Sequence, residues 1–314
     1  MLPYTDQPHV SNSTDSIDPK WISTTNPFAM GFGGFVSPAM CQVFLPLVEP
    51  SSTIWTRRNG WTSLHIMQGG KISEYGEMTP AGLPYGSFPR LLLAYINTEA
   101  YKNSKRVTCE DPRAIDLKST RHLLSTFRMS QSKRLNYYRL RDQLERLLSC
   151  VFTYDVRGLS DPVSKTQHRT LSPFLIPSDR QVSFKTTEDG RRISLSSRYL
   201  RLSESAYTMC LANPVPIDFR ILNALRKSPF ALDVYLWANH RCVYLKTPQH
   251  ISWQALADQF GSSCVSLREF ARGFRTALKQ LHPYWPSLRI DTHFESGIVV
   301  YPATNLIDMT KLRL

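Results

Sequence analysis

The chain has 314 residues, is 42% hydrophobic and carries a net charge of +13. That is enough apolar material for a sizeable core in one to three domains. There is no run of 18 apolar residues and no signal-peptide pattern, so neither a membrane span nor export is expected, and a bacterial cytoplasmic location is. Charge is unevenly spread: residues 1–80 hold four basic against six acidic side chains, leaving +15 on the remainder. A basic body of this kind attracts polyanions, with nucleic acid the first candidate. An anionic membrane surface is the lesser one, because no amphipathic helix shows an exposed aromatic face. The six cysteines lie far apart without C-x-x-C or zinc spacing. They read as reduced thiols, and neither metal nor cofactor is expected.

In chain order, residues 1–26 are polar and proline-containing, and residues 1–40 as a whole read as a disordered lead-in. Met30–Phe35 (MGFGGF) lacks the G-x-G-x-x-G pattern and reads as flexible chain. Thr53–Met67 alternates apolar residues about Asn59-Gly60, a hairpin signal. A helix is predicted after Pro89 and a second after Asp116 as its cap. A third begins near Asn136, with Tyr137, Leu140, Leu144, Leu147, Leu148 and Val151 on one stripe. Arg139 and Arg146 lie on its polar side. Asp142 either takes a cytosine amino group or pairs with Arg146 at i+4, the latter reading being favoured. Val151–Val156 is placed to open a wing, and Gln181–Ser197 forms a hairpin turning at Asp189-Gly190. Between them, residues 157–177 read as a mobile loop.

Asn213-Pro214-Val215-Pro216 separates the halves, and a short helix follows over 217–226. Ser228-Pro229 opens another helix. Ser252 caps a helix over Trp253–Phe260, which Gly261 ends. Ser266 and Glu269 have the spacing of a capping box for the next one. In that last helix Leu267, Phe270, Ala271, Phe274, Ala277, Leu278 and Leu281 form an apolar stripe. Arg268, Arg272, Arg275 and Lys279 cluster about 125° away. A basic face on an isolated helix is more often merely solvated. Here it is followed by a strand over Leu288–Phe294, a turn, and a strand over Ile298–Tyr301. Helix, turn, helix, hairpin is the order of a winged helix, which presents a recognition helix to a DNA groove. The expected fold is therefore α+β: two tandem winged helices, each of three helices and a hairpin, over 41–212 and 213–314.

Several motifs in the same order resemble the plasmid-encoded RepA replication initiators. These are Gly82–Ala100 (GLPYGSFPRLLLAYINTEA), Arg139–Ser149 (RLRDQLERLLS), Asn213–Arg241 (NPVPIDFRILNALRKSPFALDVYLWANHR), and the helix-turn-helix ISWQALADQFGS with REFARGFRTALKQLHPYWP. The resemblance covers roughly residues 42–303. One departure is Ser132–Tyr138 (SKRLNYY), where the family has a glycine-rich lead-in. The resemblance implies binding to repeated double-stranded plasmid origin DNA, local duplex opening and recruitment of host replication proteins (sliding clamp, initiator or helicase). It also implies a homodimer that represses and a monomer that initiates.

The chemistry expected is binding rather than catalysis, and the chain is not expected to be an enzyme. Arg268 and Arg272 are candidates for base contact, beginning at the Ser266 cap. Arg275 and Lys279 are candidates for phosphate, and Arg289 and His293 for the flanking groove or backbone. Arg139 and Arg146 are the first-half counterparts, and two such helices would meet successive major grooves. Gln42, Leu45 and Leu47 (in QVFLPL) resemble a short clamp-docking peptide, set against an apolar start to the fold. A rolling-circle nickase is disfavoured because no His-hydrophobe-His pair occurs, and a helicase because there is no G-x-x-x-x-G-K-[ST] loop. The remaining alternative is a winged-helix transcriptional regulator without initiator activity.

Overall fold

The computed structural model describes residues 18–60, 62–72, 76–156, 182–186, 193–261 and 266–303. Chain order begins with α1 (Pro19–Thr24), β1 (Gly33–Val36) and α2 (Ala39–Gln42). The hairpin β2 (Ile54–Asn59) and β3 (Thr62–Met67) follows, then β4 (Gly70–Ile72) and β5 (Met78–Pro80). The middle of the chain is α3 (Ser87–Lys105), β6 (Ala114–Asp116), α4 (Thr120–Thr126), α5 (Arg134–Ser149), β7 (Val151–Val156), β8 (Val182–Thr186), β9 (Ile193–Arg201) and α6 (Glu204–Leu211). The last third is β10 (Val215–Asp218), α7 (Phe219–Leu225), α8 (Pro229–Tyr244), β11 (Gln249–Ser252), α9 (Trp253–Phe260), α10 (Leu267–Leu281), β12 (Ile290–Asp291) and β13 (Gly297–Val300). The fold is mixed α+β, with ten helices and small antiparallel sheets among the described residues.

Local chemistry sets most helix starts. Ser119, Ser203, Ser228, Ser252 and Ser266 each accept a backbone N–H with their side-chain oxygen. Gly261 ends α9 at φ 64°, a left-handed cap that glycine adopts without strain. The Asn59-Gly60 turn and the β8–β9 pairing stand as expected; the turn expected at Asp189-Gly190 and the loop expected over 157–177 lie outside the described residues. Asp116 does not cap α4. It sits in β6 and accepts the Lys118 N–H, and Ser119 does the capping.

Two three-stranded sheets share one order. They run β6–β9–β8 and β11–β13–β12, all antiparallel, with the last strand in sequence at the centre. β6 and β11 were not legible because each is three or four residues long and owes its form to a partner far along the chain. Val151–Val156 opens no wing. As β7 it pairs with β3 instead, in register Met67↔Val151 to Thr62↔Val156. The Leu288–Phe294 strand shortens to β12, Ile290–Asp291.

The lead-in is folded from residue 18 onward, against the expectation of disorder through residue 40; residues 1–17 lie outside the described set. Ile22 and Phe35 are buried, and β1 pairs antiparallel with β10 (Gly33↔Asp218, Val36↔Val215). The glycines of MGFGGF permit this close approach: a Cβ on Gly34 would run into the Phe219 ring and the Thr98 hydroxyl. Arg220, fully buried, binds Asp218, donates to the Thr25 carbonyl at 2.9 Å and lies 4.6 Å from the Trp21 ring centre. A polar stretch is thus ordered by a few aromatics and one buried ion pair.

The deepest polar contact joins α3 to α8. Arg90 Nε and Nη2 meet the two Asp233 carboxylate oxygens at 2.6 Å each. Nη1 donates to the Pro46 and Gly86 carbonyls, and Nη2 also donates to the Leu45 carbonyl. Both side chains are buried (4% and 1% exposed), so the charges have no recourse to water. Burial pushes the Asp233 carboxyl up to about 6, against the pull of Arg90. Removing one member of such a pair costs about 3–5 kcal/mol because the other is left charged and buried. Arg90→Met is expected to lose that much in urea unfolding. Arg90→Met with Asp233→Leu should recover the electrostatic part, leaving only the loss from the three unbonded carbonyls.

Candidate nucleic-acid interface

The terminal third assembles the expected basic element. Ser266 accepts the Glu269 N–H at 3.3 Å and starts α10. Phe270, Phe274, Ala277 and Leu281 then bury one side against α8 and α9. Phe274 is packed edge-on by Trp237, Trp253 and Phe260, with ring centres 5.7–5.9 Å apart. This aromatic box holds α10 in one rotation, and that rotation turns Arg268, Arg272 and Lys279 outward, all exposed. Leu267, assigned to the apolar stripe, is 43% exposed, because it occupies the first turn beyond the reach of α8.

Arg275 differs from its three neighbours. Its Nε and Nη2 donate to the Thr292 carbonyl at 3.3 and 3.0 Å, and its guanidinium lies 4.9 Å from the Trp253 ring centre. It therefore ties α10 to the β12–β13 segment. A cleft of about 470 Å³ opens there, lined by Arg275, Lys279, His282 and His293. Arg289 stacks over Tyr301 at 4.0 Å and His293 is exposed. The structure thus gathers Ser266, Arg268, Arg272, Arg275, Lys279, Arg289 and His293 on α10 and the adjoining β12 segment.

The first-half candidates divide. Arg139 is exposed on α5. Arg146 is only 14% exposed and is already held by Asp142 (3.0 Å) and Glu49 (2.6 Å). The i,i+4 pairing with Asp142 is therefore present, and Arg146 acts as a structural strut rather than a free cation. The docking-peptide reading of QVFLPL also fails on geometry. Leu45 is 6% exposed and its carbonyl receives Arg90. Gln42 accepts from Thr62 and, through its carbonyl, from Gln259, and Leu47 is half-buried. An apolar start to the fold, the alternative reading, accounts for the segment.

Sequence reasoning missed the contact that positions α9 and α10 against the first half. Phe44 stacks on Phe260 with ring centres 4.7 Å apart. Trp55 donates its Nε1 to the Phe44 carbonyl at 3.0 Å, and Arg57 lies over the Trp55 ring at 3.3 Å. Arg57 Nη2 then donates to the Gly261 carbonyl at 2.8 Å, at the C-terminal cap of α9. A cation at a helix C-terminus meets the negative end of its dipole. The one legible signal was Arg57 beside a hairpin turn; its partner lies 204 residues away.

Among the described residues, no group of three or more His, Cys, Asp or Glu side chains is arranged to hold a metal ion. No described helix is long and apolar enough to cross a membrane.

Gly261 has no room for a Cβ: at φ 64° one would strike the Arg57 guanidinium. Gly261→Ala is expected to destabilise by about 1–2 kcal/mol from the left-handed backbone alone, with the collision added. Combining it with Arg57→Ala removes the collision but not the backbone part. Melting temperatures of Gly261→Ala, Arg57→Ala and the double variant separate the two contributions.

Against known proteins, the chain matches the family described as plasmid encoded RepA protein over residues 83–255, more than half its length. No curated protein matches it. A crystal structure of selenomethionine derivatives of domains 2 and 3 of RctB is 13% identical, with a TM-score of 0.48, covering 78% of this chain and 84% of that one. A second structure of the same RctB domains is 13% identical, with a TM-score of 0.42, covering 77% and 82%. The family match takes in α3 and α8 with their buried Arg90–Asp233 pair, α5, and β10 with α7, which are the elements built from the quoted motifs; the chain belongs to the plasmid-encoded RepA protein family.

Proposed function

We propose that the protein is a plasmid replication initiator that binds repeated origin DNA through two winged helices. It opens adjacent duplex and brings in host replication proteins, without a covalent step of its own. The observation that carries this reading is a repeated architecture. In the first half α3, β6, α4, α5, β8 and β9 come in that order, with β7, which pairs with β3, inserted after α5; in the second half α8, β11, α9, α10, β12 and β13 follow one another. With β7 set aside, both sets run helix, strand, helix, helix, strand, strand, and both sheets have the order first–third–second. That is the order of a winged helix, with α5 and α10 as the recognition helices.

On this reading Arg268 and Arg272, in the first two turns of α10, approach base edges. Lys279 lies on phosphate. Arg275 spends two donors on the hairpin and sets its angle, and Arg289 and His293 reach the flanking backbone. Arg139 serves on α5. Self-association has a support of its own: Ile54, Met67 and Val151 are mutually in register across β2, β3 and β7 and are 52%, 50% and 39% exposed. This apolar row at one end of an open sheet suits a second copy of the chain.

The deciding measurement is binding to DNA flanking the gene against random DNA of equal length. Discrimination of about 10³ or more is expected, with footprints at a fixed repeat. Arg272→Ala should lose about 1–3 kcal/mol on the specific site and little on random DNA; an equal loss on both makes Arg272 a phosphate contact instead. The runner-up, a transcriptional regulator with the same fold, predicts the same binding. It parts from the initiator reading in cells: the gene with its repeats should maintain an otherwise unreplicated circle, and Arg272→Ala should abolish maintenance. Repression without maintenance would leave only the regulator.

A further inference from the structure

A second basic site contains no residue of α10. The start of α3, the α4–α5 turn and the α7–α8 turn enclose a cleft of about 520 Å³. Arg128, Lys133, Arg139, Arg226 and Lys227 line it, and Asp142 is the one carboxylate in the lining. Asp142 is already engaged, with Arg146 at 3.0 Å and Gln143 at 2.9 Å. The described lining thus holds five cationic side chains and one carboxylate.

Asn223 brings its two most sheltered cations together. Asn223 Nδ2 donates to the Thr126 carbonyl at 2.9 Å and ties α7 to the end of α4. Arg226 Nη1 donates to the Asn223 carbonyl at 2.6 Å, with Arg226 only 7% exposed. Arg128 sits two residues past Thr126 in a left-handed conformation (φ 48°). Its guanidinium makes no hydrogen bond or ion pair among the described residues. Burial lowers the Arg128 pKa, and the charge of Arg226 lowers it further, so the two guanidinia feel one another. Two like charges in a half-buried cleft repel. An anion between them converts that repulsion into charge-assisted hydrogen bonds, and the planar guanidinium fork matches a tetrahedral oxyanion.

We propose that this cleft is a phosphate seat in which Arg128 and Arg226 grip the phosphate and Lys133, Arg139 and Lys227 hold its mouth. The proposal rests on the DNA-binding reading and deepens it: the phosphate belongs to the backbone of duplex docked on α5, since Lys133 and Arg139 lie on and beside that helix. Two of the five cations come from the α7–α8 turn, so the second half of the chain completes the first half's interface.

The test uses the full chain with two probes, inorganic phosphate at constant ionic strength and a random-sequence duplex titrated over a range of salt. Phosphate should raise the melting temperature of the wild type by a few degrees and leave Arg128→Gln unmoved. For the duplex, Arg128→Gln should weaken binding several-fold and flatten the slope of log K against log salt by about one unit for each phosphate no longer neutralised. Lys227→Gln, at an exposed position, guards against a folding defect and should flatten the slope likewise. Unchanged slopes in both variants with phosphate stabilisation intact would overturn the assignment to DNA backbone in favour of a free phosphate. No phosphate effect and unchanged slopes would overturn the seat altogether. A wild type that binds no duplex would sink the functional reading, and the melting arm would still decide the seat.

Discussion

The Arg90–Asp233 pair is the contact on which the rest of the molecule depends. Arg90 lies on α3 and Asp233 on α8, and the same guanidinium holds the carbonyls of Leu45, Pro46 and Gly86. Three stretches remote in sequence are thereby brought to one point. Desolvating two charges is expensive, so the pair is tolerable only because nearly every donor and acceptor finds a partner. That demand for geometry makes the contact specific: no nearby register of α3 on α8 would satisfy it.

What the pair positions matters more than what it stabilises. α3 and α8 are the first helices of the two similarly ordered sets of elements, and the segment running from Gln42 to Leu47 crosses between them. From that segment Phe44 stacks on Phe260, Gln42 receives Gln259, and the Trp55–Arg57 ladder reaches the cap of α9. The exposed arginines of α10 therefore stand at a defined place relative to α5. The proposed reading of two segments of one duplex would need such an arrangement, because loosely jointed modules would lose affinity to the entropy of aligning them.

The family-like motifs and the basic surface divide the work. Arg90, Asp218, Asp233 and Tyr235 belong to the motifs and are all buried. Arg268, Arg272 and Lys279 lie beyond residues 83–255, the span of the family match, and are exposed. Within the family match the buried residues build the scaffold, and the candidate contacts of α10 are carried by a different set. Arg146 shows the hazard of reading across: it sits at a plausible place on a plausible helix, yet two carboxylates already occupy it.

Local patterns in the sequence determined helices α3–α5 and α7–α10, the serine caps of α8, α9 and α10, the Asn59-Gly60 hairpin, and which side of α10 carries charge. Each follows from interactions between residues a few positions apart, where periodicity and capping chemistry act. The tertiary structure alone decided the pairing of β1 with β10, the diversion of β7 to β3, the folding of residues 18–40, and the burial of Leu45. It also decided that Arg57 caps α9 and that Arg128 and Arg226 share a cleft. Those outcomes join residues from 45 to 204 positions apart, and two- to six-residue strands carry too little intrinsic preference to announce themselves. Their free energy comes from a surface that exists only after the other elements have packed, so no window along the chain contains it.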